Sequence, residues 1–145
     1  MFIDSILKLR KATIVGCLGC FLASLSTPAI LFTDHAPVFG AVVLFYGWWG
    51  LILYNFSWLA NFFLVAAFVN FRNKKYTRAT VKSIAGFGLG LLSLRTKEWW
   101  FNEGFSTPVI GFGIGYYLWM MSYFILALGA IMAATYYASP PSSSE

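Results

Sequence analysis

The amino-acid sequence predicts an all-α integral membrane protein, a bundle of four transmembrane helices with short loops and with both the N- and C-termini in the cytoplasm. Three observations predict this fold class: the composition, the spacing of the charged residues, and the unequal distribution of Lys and Arg. Of the 145 residues, 59% are hydrophobic and 10% are charged, whereas soluble domains average about 45–50% and about 25%. So few charges cannot cover a water-soluble surface, and so hydrophobic a chain lacks the composition of a disordered one.

The four spans follow from the stretches that lack charged residues. Asp, Glu, Lys and Arg are all missing from four stretches, 12–32, 37–71, 83–94 and 105–144. Because a spanning helix needs about 20 apolar residues, we predict four spans, at approximately 12–32, 45–71, 79–97 and 109–134. The third stretch is short, which leaves open whether its helix crosses fully or is short or tilted. Residues 1–138 are predicted as a single domain, followed by a disordered Pro/Ser tail at 139–145.

Lys and Arg are concentrated in two segments that this topology places on one side of the membrane. The eight residues are Lys8, Arg10, Lys11, Arg72, Lys74, Lys75, Arg78 and Lys82. On the other side lie Arg95 and Lys97. Because cytoplasmic loops are enriched in Lys and Arg, the pattern predicts cytoplasmic termini and, with the composition, a bacterial cytoplasmic (inner) membrane location. Nucleic acid is not a predicted partner, since the basic loop is short and its charges adjoin the spans.

Small and polar residues recur at helical spacing within the predicted spans. In lipid, helices associate through close backbone approach and interhelical hydrogen bonds rather than through burial of large apolar side chains. We therefore predict helix contacts at Gly19 in the first span and at Gly50 in the second. Tyr54, Ser57 and Asn61 continue the second stripe as an intramembrane polar patch, and the spacing favours interhelical hydrogen bonding over a functional role for them.

The sequence predicts no catalytic residue, metal or cofactor, and the protein is not predicted to be an enzyme. Cys17 and Cys20 form a CxxC pair, but redox chemistry of this kind needs a second pair and a reactive position at the surface. Burial in apolar surroundings makes a thiol inert, so we predict a structural role for both. Two cysteines and the distant His35 cannot make a four-ligand zinc site.

One outer segment combines both charge signs with aromatic residues. Its members are Arg95, Lys97, Glu98, Trp99, Trp100 and Phe101. Arg and Trp are enriched among interface residues that contribute most to binding, so this segment is the predicted partner-binding site.

The predicted function is therefore non-catalytic. The protein would contact the lipid bilayer and another membrane protein, or a second copy of itself, as an accessory or stabilising subunit or as an inhibitor of the immunity type. The alternative is a small homo-oligomeric channel or transporter. In that case a polar cavity would be lined by Asn55, Ser57, Asn61 and Ser122.

Overall fold

Helices alternate with short strands in the computed structural model, which describes residues 2–100 and 106–138. The elements are α1 (Phe2–Leu25), β1 (Pro28–Phe32), β2 (Val38–Phe39), α2 (Gly40–Tyr46), 3₁₀ helices Gly47–Leu53 and Phe56–Leu59, α3 (Ala60–Arg72), α4 (Tyr76–Leu91), a 3₁₀ helix Leu92–Arg95, β3 (Glu98–Trp100), β4 (Ser106–Phe112) and α5 (Ile114–Ala138). The predicted tail, 139–145, lies outside the described residues.

This mixed α/β architecture corrects the predicted fold class: the four-transmembrane-helix bundle is wrong. Among the described residues, only one helix is long and apolar enough to cross a membrane, within α5 at Ile114–Tyr137. The α4 helix has 16 residues, about 24 Å at 1.5 Å per residue, and α3 has 13, about 20 Å. Both fall short of a hydrocarbon core of about 30 Å.

Local backbone chemistry interrupts the predicted second span, 45–71. The chain leaves the helical conformation at Tyr54, which has a left-handed φ of 58°, and at Asn55, which is extended. The Asn55 side chain then accepts a hydrogen bond from the Ser57 backbone N–H and caps the next 3₁₀ helix. Asn favours such caps because it competes with the helical backbone for hydrogen bonds. The charge-free stretch is therefore two short helical segments.

The ends of the first and fourth predicted spans form strands instead of helix. The α1 helix ends at Leu25, and Pro28 opens β1, where the preceding residue is disfavoured in the helical region. β1 and β4 pair antiparallel, with Ile30 opposite Phe112. The full sheet is antiparallel in the order β2-β1-β4-β3, and register shifts in the β1–β2 and β1–β4 pairs accompany its curled shape.

The long helices pack through small residues on facing sides. A Cβ at Gly129 of α5 would collide with the Thr13 side chain of α1, and a Cβ at Gly86 of α4 would lie 2.5 Å from the Tyr123 ring of α5. Buried residues of these helices and α3 form the main core, which is Cys17, Ala60, Leu64, Ala67, Phe71, Tyr76, Ala79, Tyr123, Leu126, Ala130 and Ala133. Buried side chains of β1 and β2 form a smaller cluster on one side of the sheet, which is Ala29, Ile30, Phe32 and Val38.

Candidate functional site

The two basic segments of the chain meet at one end of the helices, which we call the basic end (residues 8–11 and 72–82). Nη2 of Arg10 in α1 donates a 3.2 Å hydrogen bond to the backbone carbonyl of Arg72, at the end of α3. In the turn that follows, Lys74 adopts a left-handed φ of 60°, and its backbone N–H bonds the Phe71 carbonyl. The structure therefore brings together the eight cations that the sequence assigned to one side.

Aromatic side chains pack against one another on the interior side of the basic end. The Tyr76 ring stacks on Tyr137 of α5 with centroids 5.4 Å apart and meets Phe71 edge-on at 5.5 Å. Burial raises the pKa of the Tyr76 phenol, and the neighbouring Arg10 guanidinium opposes that rise. Guanidinium and phenol are thus close neighbours at the meeting point of α1, α4 and α5.

Two buried polar atoms of the basic end have no hydrogen-bond partner among the described residues: Nε of Arg10 and Oη of Tyr76. Tyr76 is only 6% exposed. The Tyr137 phenol is close enough to raise the pKa of Tyr76 through hydrogen bonding, but the two hydroxyls do not reach full hydrogen-bond geometry. Such groups are uncommon in native proteins and point to an unseen water, ion or ligand. Residue spacing alone could not have identified this pair, because Arg10 and Tyr76 are distant in sequence.

The predicted partner-binding segment lies at the opposite end, which we call the sheet end (residues 26–39 and 95–112, where described). Arg95, Lys97 and Glu98 are exposed there, and the Lys97 carbonyl accepts a 2.8 Å hydrogen bond from Val109. Trp99 is half-buried and packs against the smaller cluster on one side of the sheet.

Of the last two residues of that segment, the structure describes only one. Trp100 ends β3, and Phe101 lies outside the described residues. β3 is an edge strand of the sheet, so the segment presents backbone as well as side chains to its surroundings.

Asn55 fastens this segment to the rest of the molecule. Its Nδ2 donates a 2.6 Å hydrogen bond to Oγ1 of Thr96, while its Oδ1 accepts from both the backbone N–H and the hydroxyl of Ser57. Ser57 of the predicted polar patch is therefore engaged within its own turn. Tyr54, from the same patch, is 85% exposed. The anchoring role of Asn55 was not predicted, although an Asn two residues before a Ser is a capping signal.

Asn61 joins α3 to α5. Its Oδ1 accepts a 3.1 Å hydrogen bond from Nε1 of Trp119, and its Nδ2 donates to the Trp58 carbonyl. Trp58 in turn donates from Nε1 to the Leu44 carbonyl. This is the geometry of interhelical hydrogen bonding, and it leaves the side chain little capacity to bind a solute.

The two glycines predicted at helix contacts occupy different surroundings. Gly19 lies on the exposed side of α1, where an added Cβ would meet no atom within 4 Å. A Cβ added at Gly50 would lie 3.5 Å from the Cβ of Asn55. Between residues 12 and 25 of α1 the buried positions are instead Thr13, Cys17 and Ser24, a row of small and polar residues next to the one that contains Gly19. Cys17 and Cys20 are free thiols.

An apolar groove runs between α4 and α5 outside the basic end. It has a volume of about 240 Å³ and is lined by Ile84, Phe87, Tyr123, Phe124, Ala127, Leu128 and Ile131. Among the described residues, no group of three or more His, Cys, Asp or Glu could hold a metal ion.

The chain matches no protein-family model, and no curated protein or solved structure is similar to it. Its possible functions therefore have to be argued from the two ends and from the helices between them.

Proposed function

We propose that the chain is an integral membrane protein whose α5 helix crosses a bilayer. The observation that carries this proposal is the exposure of α5: only 39% of its most apolar window is buried inside the protein. The core helix of a soluble protein would be mostly buried. Large apolar side chains on the other helices are exposed as well, among them Leu22, Phe62 and Val81. Monomers that live in water rarely expose contiguous apolar surface on this scale.

The membrane we propose is the bacterial cytoplasmic (inner) membrane, with the basic end at its cytoplasmic face. Eight of the ten Lys and Arg residues belong to that end, and Lys and Arg adjoining a span are enriched on the cytoplasmic side. A helix of the length of Ile114–Tyr137 (24 residues) is about 36 Å long. This is enough for α5 to cross one hydrocarbon core of about 30 Å.

We further propose that the protein is non-catalytic and binds another membrane protein, or a second copy of itself, through the sheet end. Edge strands offer unpaired backbone groups to a partner strand, and Arg95, Lys97 and Glu98 are exposed along this edge. An accessory subunit, a stabiliser or an inhibitor of the immunity type would act in this way. Conduction is less well supported, because Asn61 bonds Trp119 and Ser122 bonds the Trp119 carbonyl.

Membrane insertion is tested by alkaline carbonate extraction of membranes that carry the full chain. We expect the protein to stay in the membrane pellet and to require detergent for release. Release into the supernatant by carbonate or high salt alone would contradict insertion, since burial of an apolar helix in lipid does not depend on charge.

Partner binding is tested in intact membranes by site-specific photo-crosslinking. A photo-crosslinking amino acid at Lys97, on the sheet edge, is expected to give discrete protein adducts. The same amino acid at Val65, which is exposed on α3, is the matched control and is expected to label lipid. Protein adducts at Val65 but not at Lys97 would place the partner on the helices and contradict the proposed site.

A further inference from the structure

The basic end contains donors that the described part of the chain does not use. The Arg10 guanidinium donates one N–H to the Arg72 carbonyl. Its Nε is buried without a hydrogen-bond partner, as is the Tyr76 hydroxyl. A buried donor that pairs with nothing destabilises a protein, and more so when the group is charged. Two such donors that also interact electrostatically favour an acceptor that pairs with both.

The charge around this pair determines what kind of acceptor fits. Lys8, Lys11, Lys75 and Arg78 are exposed around it, and the only carboxylate in segments 1–11 and 72–82 is Asp4. A neutral acceptor would leave this excess of positive charge uncompensated, whereas an oxyanion would compensate it. Arg combined with a hydroxyl donor suits phosphate in particular, because the guanidinium fork matches its oxygen atoms.

We propose that the basic end is a binding site for a phosphate group. Arg10 Nε and the Tyr76 hydroxyl are its buried donors, and the surrounding lysines attract the anion at longer range. The Tyr137 ring stacked on Tyr76 holds the phenol in place, and the bond to the Arg72 carbonyl holds the guanidinium. The two donors are therefore held by contacts among α1, α3, α4 and α5. Because both donor atoms are buried, binding requires the side chains around them to move apart.

The source of the phosphate is the head group of an anionic phospholipid. This assignment rests on the proposed membrane insertion, which places the basic end at the depth of the cytoplasmic head groups. There, juxtamembrane Lys and Arg are attracted to anionic lipid. Inorganic phosphate carries the same oxyanion chemistry and is distinguished by experiment.

The test measures binding to the full chain in uncharged detergent, by titration with short-chain phosphatidylglycerol or, separately, with inorganic phosphate at matched ionic strength. The variants are Tyr76→Phe, which removes only the hydroxyl, and Arg10→Gln, which removes the guanidinium. Lys11→Gln is the matched control, because it removes one exposed charge from the neighbouring position. Hydrogen bonds to charged groups are strong enough that each site variant is expected to weaken binding roughly tenfold, and the control less than threefold.

Phosphatidylglycerol binding that Tyr76→Phe weakens, without comparable binding of inorganic phosphate, supports the lipid head group. Equal binding of inorganic phosphate with the same sensitivity supports the site but assigns it to a free oxyanion. Binding that is absent, or is identical in wild type and Tyr76→Phe, overturns the proposal and leaves the two donors with water only. A carbonate-extractable protein that still binds phosphate through Tyr76 would overturn membrane insertion and keep the site.

Discussion

The sheet end and the basic end differ in whether their polar side chains are hydrogen-bonded within the chain. At the sheet end, Asn55 is bonded to Thr96 and Ser57, so its polar atoms are satisfied within the chain. At the basic end, Arg10 Nε and Tyr76 Oη are buried and unpartnered among the described residues. The difference teaches that a polar side chain in an apolar protein indicates function only after its hydrogen bonds have been counted. By that measure Asn55 stabilises the sheet end, whereas Arg10 and Tyr76 at the basic end keep unused donors for the proposed ligand.

The largest expected effect comes from Asn55→Leu, which removes all three hydrogen bonds at the sheet end. Each contributes about 1 kcal/mol, so we expect the free energy of unfolding in detergent to fall by about 2–3 kcal/mol. Ser57→Ala, which removes the hydroxyl but keeps the backbone bond, should lower it by about 1 kcal/mol. If Asn55→Leu unfolds like wild type, the sheet end does not depend on this residue and the comparison fails.

A smaller loss is expected for Asn61→Leu, which breaks the bond between α3 and α5. Interhelical hydrogen bonds in membranes average about 0.6 kcal/mol and reach about 1.7 kcal/mol. A double-mutant cycle with Trp119→Phe should therefore give a coupling energy in that range. A coupling near zero would show that the 3.1 Å contact contributes nothing. If the folded single variant also lost a membrane leakage activity, conduction would replace binding as the proposed function.

Two buried tyrosines sharpen the comparison further. Tyr116 and Tyr76 are each 6% exposed, but the Tyr116 hydroxyl donates to the Gly90 carbonyl and that of Tyr76 donates to no described group. In lipid-free detergent, Tyr116→Phe should lower the free energy of unfolding by about 1 kcal/mol. Tyr76→Phe should change it by less than about 0.5 kcal/mol or raise it, because no hydrogen bond is lost. Equal losses would mean that Tyr76 already has a partner.

The smallest effect concerns the left-handed Tyr54 at the sheet end. Glycine adopts this conformation without a Cβ penalty but loses more backbone entropy on folding, and the 85% exposed side chain has little packing to lose. Thermal unfolding of Tyr54→Gly should therefore give a free energy of unfolding between unchanged and about 1 kcal/mol higher. A loss of more than 1 kcal/mol would indicate that the exposed ring packs against something outside the chain.

Composition and charge spacing predicted the features that depend on local sequence. A long apolar helix is found at Ile114–Tyr137, and the two basic segments meet in space. The strands were missed because β1 and β4 pair across most of the chain, so neither shows its partner locally. The break at Tyr54–Asn55 depends on one residue's conformation and one capping side chain, and a count of apolar residues does not register it.

The candidate site was predictable only in part, for the same reason. The exposed charges of the sheet end are recognisable in the sequence, and Asn61 stands out there as a polar residue within an apolar stretch. Its bonding partner Trp119 lies 58 positions away, beyond the reach of spacing arguments. Small and polar residues recur at helical spacing in two neighbouring rows of α1, one with Gly19 and one with Thr13, Cys17 and Ser24. Nothing local indicates that the row with Cys17 packs against α5.

The junctions between helices and strands have a mechanical consequence. Only Ser26 and Thr27 separate α1 from β1, and only Gly113 separates β4 from α5. Gly113 is itself hydrogen-bonded to the Ala29 carbonyl. Because both connecting segments are this short, a change in the angle between α1 and α5 must displace the paired strands β1 and β4 relative to each other. The helix pair and the sheet are thus mechanically coupled, and a displacement of the sheet would be transmitted along α1 and α5 to the basic end.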